Sequence, residues 1–172
     1  MQIIYDGSLL DNAFKRQELP AWMNLNQIHG LVTDLKTEEI ASVTESQLIF
    51  GTNGSVSALE TGILEMAQAV FLMPYSRPKY WVCVQGEDVF RIQNHVSDAI
   101  QTQLRDCKTF LLHGNICVDM DLLESGVQYS KLIQNPNELV IILPGAFAQS
   151  VDRGASQLME IFPWKKSDDI CL

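Results

Sequence analysis

The residues of this chain best suited to chemistry are few and far apart. There are three histidines, His29, His95 and His113. A mononuclear non-haem iron centre needs two imidazoles and one carboxylate on one face of the ion, with other positions left open. No histidine here has an Asp or Glu two positions away, so a His-x-acid pair is absent from the sequence. His95 lies in the run 87–107, where Val89, Ile92, Val96, Ile100 and Leu104 recur at helical spacing, and it reads as part of that helix's surface. His29 and His113 each precede a glycine and read as loop residues. The four cysteines, Cys83, Cys107, Cys117 and Cys171, show no zinc spacing and read as reduced, buried or half-buried thiols. Asp119 and Asp121 have the spacing that places two carboxylates on one strand face, an arrangement open to acid/base work. Asp121 fits better as the N-cap of a helix opening at Leu122-Leu123-Glu124. There is no G-x-S-x-G elbow, no Walker loop and no G-x-G-x-x-G.

The totals narrow the classes further. A chain of 172 residues has room for one domain with a sizeable core, and 47% hydrophobic with 19% charged residues is an ordinary globular composition. The net charge of -9, with Lys15-Arg16 and Lys165-Lys166 the basic doublets, argues against gripping a phosphate backbone, so no direct nucleic acid binding is expected. No apolar run approaches the ~20 residues of a membrane span and the N-terminus lacks a signal pattern, so no membrane association is expected.

The positioning elements read mainly as strands. The segment 132–164 dominates: Glu138-Leu-Val-Ile-Ile-Leu143 is β-branched and apolar enough for a strand buried on both faces, and Pro144-Gly145 ends it. A second run, Gln157-Leu-Met-Glu-Ile-Phe162, follows a polar turn at Val151-Asp152-Arg153-Gly154. Pairing these two runs would leave Phe147, Ala148 and Gln149 past a strand end, at a sheet rim. Further strands are expected at 2–5, 47–50, 56–59, 67–73, 80–84 and 128–134, with a helix near 87–106. The aromatic residues Trp22, Trp81, Phe147, Phe162 and Trp164 fall mostly in strand-like runs and read as core.

In the same segment, Gln134, Glu138, Pro144-Gly145-Ala146-Phe147 and Gly154 resemble the C-terminal half of a Jumonji-C (JmjC) domain, with its pattern Q-x-x-G-E-F-V-I-T-F-P-x-A-Y-H-x-G-F-N-x-G. Trp22-Met-Asn24-Leu25-Asn26 is similar to the W-N-L-N segment that introduces JmjC domains of the Jumonji/ARID lysine demethylase branch, with Met23 inserted. Gln47-Leu-Ile-Phe50-Gly51 resembles P-W-L-Y-V-G, Arg77-Pro-Lys79-Tyr-Trp81-Val is similar to G-x-P-K-x-W-Y, and Trp164 to Cys171 repeats a W-x6-C spacing.

The resemblance implies a double-stranded β-helix, a cupin-like jelly roll with peripheral α-helices, in a single JmjC-like domain over 1–172. Its parts would be a lead-in at 1–46, the barrel at 47–164 and a tail at 165–172. In the family two histidines and an acid hold iron. Counting back from Lys79 puts the first His on Thr61, the acid on Ile63 and the family's Asn on Phe71, while the last His falls on Ala148. None of these side chains can act as its family counterpart does. A shifted register would bring Glu60 inward instead. Lys79 matches the lysine that pairs with the distal carboxylate of 2-oxoglutarate, a vestigial cosubstrate contact, unless it is merely the polar neighbour of Trp81.

The implied function is a catalytically inactive JmjC-like domain that has lost Fe(II) and 2-oxoglutarate. It would act as a structural or protein-interaction module among protein partners in a chromatin complex, in the nucleus. Two rivals stand beside it: an Fe(II)/2-oxoglutarate-dependent histone lysine demethylase or hydroxylase with a rearranged site, and a 2-oxoglutarate sensor without turnover.

Overall fold

Apolar β-branched runs punctuated by Gly, Pro and Asn turns produce strands that pass back and forth between two antiparallel sheets. The computed structural model describes residues 3–5, 47–61, 66–88, 90–92, 94, 117–119, 121 and 126–165. Its strands are β1 (Ile3–Tyr5), β2 (Gln47–Gly51), β3 (Val56–Thr61), β4 (Met66–Leu72), β5 (Lys79–Val84), β6 (Tyr129–Gln134), β7 (Leu139–Ile142), β8 (Phe147–Asp152) and β9 (Ser156–Lys165). One sheet has the order β1-β2-β9-β4-β7 and the other β3-β8-β5-β6. From β2 to β5 and from β6 to β9 each strand joins the opposite sheet from its predecessor, so the chain winds around a shared core. This is the expected cupin-like jelly roll.

The core lies between the sheets. Ile49, Val70, Leu72 and Ile142 from the five-stranded sheet meet Trp81 and Ala148 from the four-stranded one, with Cys83, Leu132, Val140 and Ala146 packed against them. All of β4 is buried, as befits a strand flanked on both sides by β9 and β7. Gln134 ties the two sheets together. Its side chain is fully buried, accepts from Trp81 Nε1 at 2.9 Å, and donates to the carbonyls of Val70 and Glu138 at 2.8 and 2.9 Å. The β6–β7 turn uses Asn137 at φ 70°, a left-handed conformation that Asn tolerates, and its amide donates to the Leu72 carbonyl at 2.8 Å.

Four sequence expectations change. The run 138–143 is not buried on both faces: β7 is an edge strand, with Leu139 43% and Leu143 50% exposed. The runs at 138–143 and 157–162 do not pair with each other, because β4 lies between β7 and β9. Phe147, Ala148 and Gln149 are not past a strand end but open β8, paired to both β3 and β5. The polar turn begins after Asp152 and not at Val151. Alternating burial along β8 was masked in the sequence by its mixed composition, since Gln149, Ser150 and Asp152 break an apolar reading. The expected helix near 87–106 begins with a 3-10 turn at Gly86–Asp88 and helical residues 90–92 and 94, and its remainder lies outside the described residues.

Replacing Gln134 by Leu should strand the Trp81 N–H and two carbonyls without partners and lower stability by about 2–4 kcal/mol, at roughly 1–3 kcal/mol per orphaned group partly offset by apolar gain. Urea unfolding followed by Trp fluorescence is the measurement.

Candidate functional site

The interior face of the four-stranded sheet carries the residues that sequence comparison singled out. Cross-strand partners share a face, so three rows point between the sheets. The first is Glu60, Ala148, Cys83 and Ser130; the second Ser57, Ser150, Trp81 and Leu132; the third Asp152, Lys79 and Gln134.

The third row holds a closed ion pair. Lys79 is 1% exposed, and its Nζ donates to Asp152 Oδ1 at 2.8 Å, with both side chains buried. The ammonium also sits 5.5 Å from the centre of the Trp81 ring, a cation–π distance. Asp152 is held from both sides of its backbone: its N–H donates to the Ser55 carbonyl and its carbonyl accepts from Gly54 N–H, each at 2.9 Å. The β2–β3 turn thus fixes where the carboxylate points. Its second oxygen, Oδ2, and the Ser156 Oγ are buried without hydrogen-bond partners among the described residues. Both atoms crowd Gly51, where an added Cβ would lie 2.0 Å from Asp152 Oδ2 and 2.5 Å from Ser156 Oγ. Gly51 is therefore required by close approach, not by its backbone angles.

Around the first row the chemistry is sparse. Ala148 is 3% exposed and packs in the core. Glu60 stands directly across from it because β3 shifts register between Ser57 and Glu60. One extra residue in a bulge reverses the alternation beyond it. Without the bulge Thr61 would face inward; with it, Glu60 does, and Thr61 shares the outer face with Phe147 and Val84. Desolvation pushes the Glu60 carboxyl above its ordinary value, and burial likewise raises the Cys83 thiol. Beside this end of the barrel, Gln85, Gly86, Glu87, Phe90 and Leu143–Ala146 line a shallow depression of about 590 Å3.

The structure brings Lys79 and Ala148 to one interior face but does not place Thr61 with them. Phe71 alternates with the inward-facing Val70 and Leu72, so it points away from the space between the sheets although it is buried. Ile63 and the three histidines lie outside the described residues. Asp119 lies in the irregular segment 117–119 and Asp121 is helical, so the two do not share a strand face. Cys117 is exposed, unlike the buried or half-buried thiol expected there, while Cys83 is half-buried; both are free. Trp81 and Phe147 are buried, as their core reading requires.

Sequence reasoning missed Asp152, although a signal was present. It lies four residues after Ala148, where the F-N-x-G part of the motif has Asn, and an acid there adds a negative charge beside Lys79. Ser156 and Gly51 had no such signal, since only the fold brings them to the pair.

The family described as "JmjC domain, hydroxylase" matches residues 47–159, more than half of the chain. This chain belongs to the JmjC domain family. That membership places it in the Fe(II)/2-oxoglutarate oxygenase superfamily of cupin-type hydroxylases. The described residues of this JmjC domain do not fit the iron of that superfamily: Ala148 has no donor atom, Glu60 is a lone carboxylate, and no three of His, Cys, Asp and Glu converge among them. They do not fit 2-oxoglutarate either, because the ammonium that would receive its distal carboxylate already holds Asp152.

Two measurements follow. Asp152→Ala should leave the buried ammonium uncompensated and cost about 3–5 kcal/mol, whereas Lys79→Met with Asp152→Leu should recover most of that loss; urea denaturation of both variants separates them. Glu60 has a folded-state value above its unfolded one, so the stability it confers is complete below the unfolded value and lost as pH rises through the folded value. Glu60→Gln should therefore gain on the wild type as pH rises through that window, and parallel unfolding curves across it would contradict this.

Proposed function

We propose that this JmjC domain is a catalytically inactive member of its superfamily, a structural or protein-interaction module of a chromatin or transcription regulator in the nucleus, without Fe(II) or 2-oxoglutarate. The observation that carries the reading is the buried Lys79–Asp152 pair. A dicarboxylate entering from solution would have to displace a carboxylate fixed by its own backbone, then leave that charge buried without its partner. Breaking a buried pair in this way costs several kcal/mol, and no metal chelation by the described residues offsets it. Ala148 supports the same conclusion, because the position of an iron-binding imidazole in the motif is filled by a methyl group packed in the core. The assignment to chromatin and to the nucleus rests on the W-N-L-N, P-K-x-W and W-x6-C resemblance to the Jumonji/ARID branch. The net charge of -9 supports protein partners over nucleic acid.

The active-demethylase or hydroxylase alternative requires a bound transition metal, and the sensor alternative requires 2-oxoglutarate at Lys79. Protein purified and incubated with Fe(II), Ni(II) or Mn(II) should hold no stoichiometric ion after desalting, and millimolar 2-oxoglutarate should leave its melting temperature unchanged. A retained equivalent of metal, or loss of methyl groups from a histone peptide, would establish the active enzyme instead. Asp152→Ala supplies the positive control for the interior pair: acetate should raise the variant's melting temperature where chloride does not, because a small carboxylate can replace the missing one.

A further inference from the structure

The outer face of the four-stranded sheet carries an apolar row unrelated to the barrel interior. Val56, Val151, Tyr80 and Ile133 are successive cross-strand partners on β3, β8, β5 and β6, and so form one line across all four strands. At the usual strand spacing the line is about 14 Å long. Its two ends are open, with Val56 43% and Ile133 52% exposed, and Val151 and Tyr80 between them are half-buried.

Two cations frame this row. The Arg153 guanidinium lies 5.0 Å from the centre of the Tyr80 ring, and the Lys131 ammonium lies 5.3 Å from that of Tyr129. Lys131 shares the outer face with Ile133 by strand alternation. Neither cation meets a carboxylate among the described residues, in a chain with 21 acidic and 12 basic residues. Spread over aromatic rings, both keep their charge available to a partner's anions.

The adjoining part of the face already holds a short irregular stretch of the chain itself. Gln149 accepts from the Val118 N–H at 2.7 Å and donates to the Val118 carbonyl at 2.9 Å, and Val118 is buried there. The Val56–Ile133 row continues that covered area, and among the described residues nothing comparable lies over its ends.

We propose that this row is a docking surface for an acidic, apolar-bearing segment of a partner protein. The partner's apolar side chains cover Val56, Tyr80 and Ile133, and its carboxylates pair with Arg153 and Lys131. The proposal rests on the outer face alone and stands or falls separately from the state of the barrel interior.

The test uses a short fluorescein-labelled peptide in which Glu alternates with Val, and a matched peptide in which Lys replaces Glu, followed by fluorescence anisotropy. The Glu peptide should bind saturably and more weakly at high salt, and the Lys peptide should not bind. Ile133→Thr and Arg153→Glu should each weaken binding about tenfold with an unchanged melting temperature, while Tyr75→Asp, at an exposed position off the face, should have no effect. Equal binding of the two peptides, no binding of either, or equal loss in the Tyr75 variant would overturn the proposal. So would sedimentation showing a dimer that Ile133→Thr dissociates, which would make a second copy of the chain the occupant.

Discussion

Placing an ammonium inside a β-barrel costs several kcal/mol of lost hydration unless a counter-charge enters with it and is held at contact distance. Here the counter-charge is Asp152, at 2.8 Å from Lys79, and much of the surrounding architecture serves to keep it there. The turn between β2 and β3 grips both backbone polar groups next to the carboxylate, Gly51 gives way so that its oxygen can pass, and Trp81 presents a ring to the ammonium. Trp81 in turn is oriented by Gln134, which also bonds the opposite sheet. The ion pair, the inter-sheet tie and the core are thus one connected arrangement.

The lysine of the P-K-x-W motif here meets a carboxylate that the chain itself supplies. A lysine at this place in the barrel is suited to receive the carboxylate of a small acid from solution. With Asp152 at contact distance, the same lysine is part of the buried core. The interior polar row then needs no outside molecule to be electrically neutral. The two interior acids also differ in kind. Asp152 is neutralised by contact, whereas Glu60 faces the core from β3 with desolvation alone acting on it.

The outer face has the opposite character. At the Lys79–Asp152 pair charge is matched and closed off; outside, Arg153 and Lys131 lie over aromatic rings beside partly exposed apolar side chains.

Fold class and family were legible in the sequence. Apolar β-branched runs such as 139–142, the Pro-Asn and Pro-Gly turns, and the order of short motifs depend on local propensity and spacing, which the sequence carries directly. The lysine and the alanine of the site were legible for the same reason. The β8 strand was not, because its interior face carries Ser150 and Asp152, polar residues that only their partners on the neighbouring strands β3 and β5 make compatible with burial. The exchange of Thr61 for Glu60 as the inward residue was open in the sequence only as an alternative register, since a bulge is a property of two paired strands and leaves no mark in counted spacing. The sequence alone determined that a jelly roll would form and that Lys79 would belong to it. Only the tertiary structure decided what the lysine meets, because Asp152, Ser156 and Gly51 become its neighbours through pairing between strands far apart in the chain, Lys79 with Asp152 and Gly51 with Ser156.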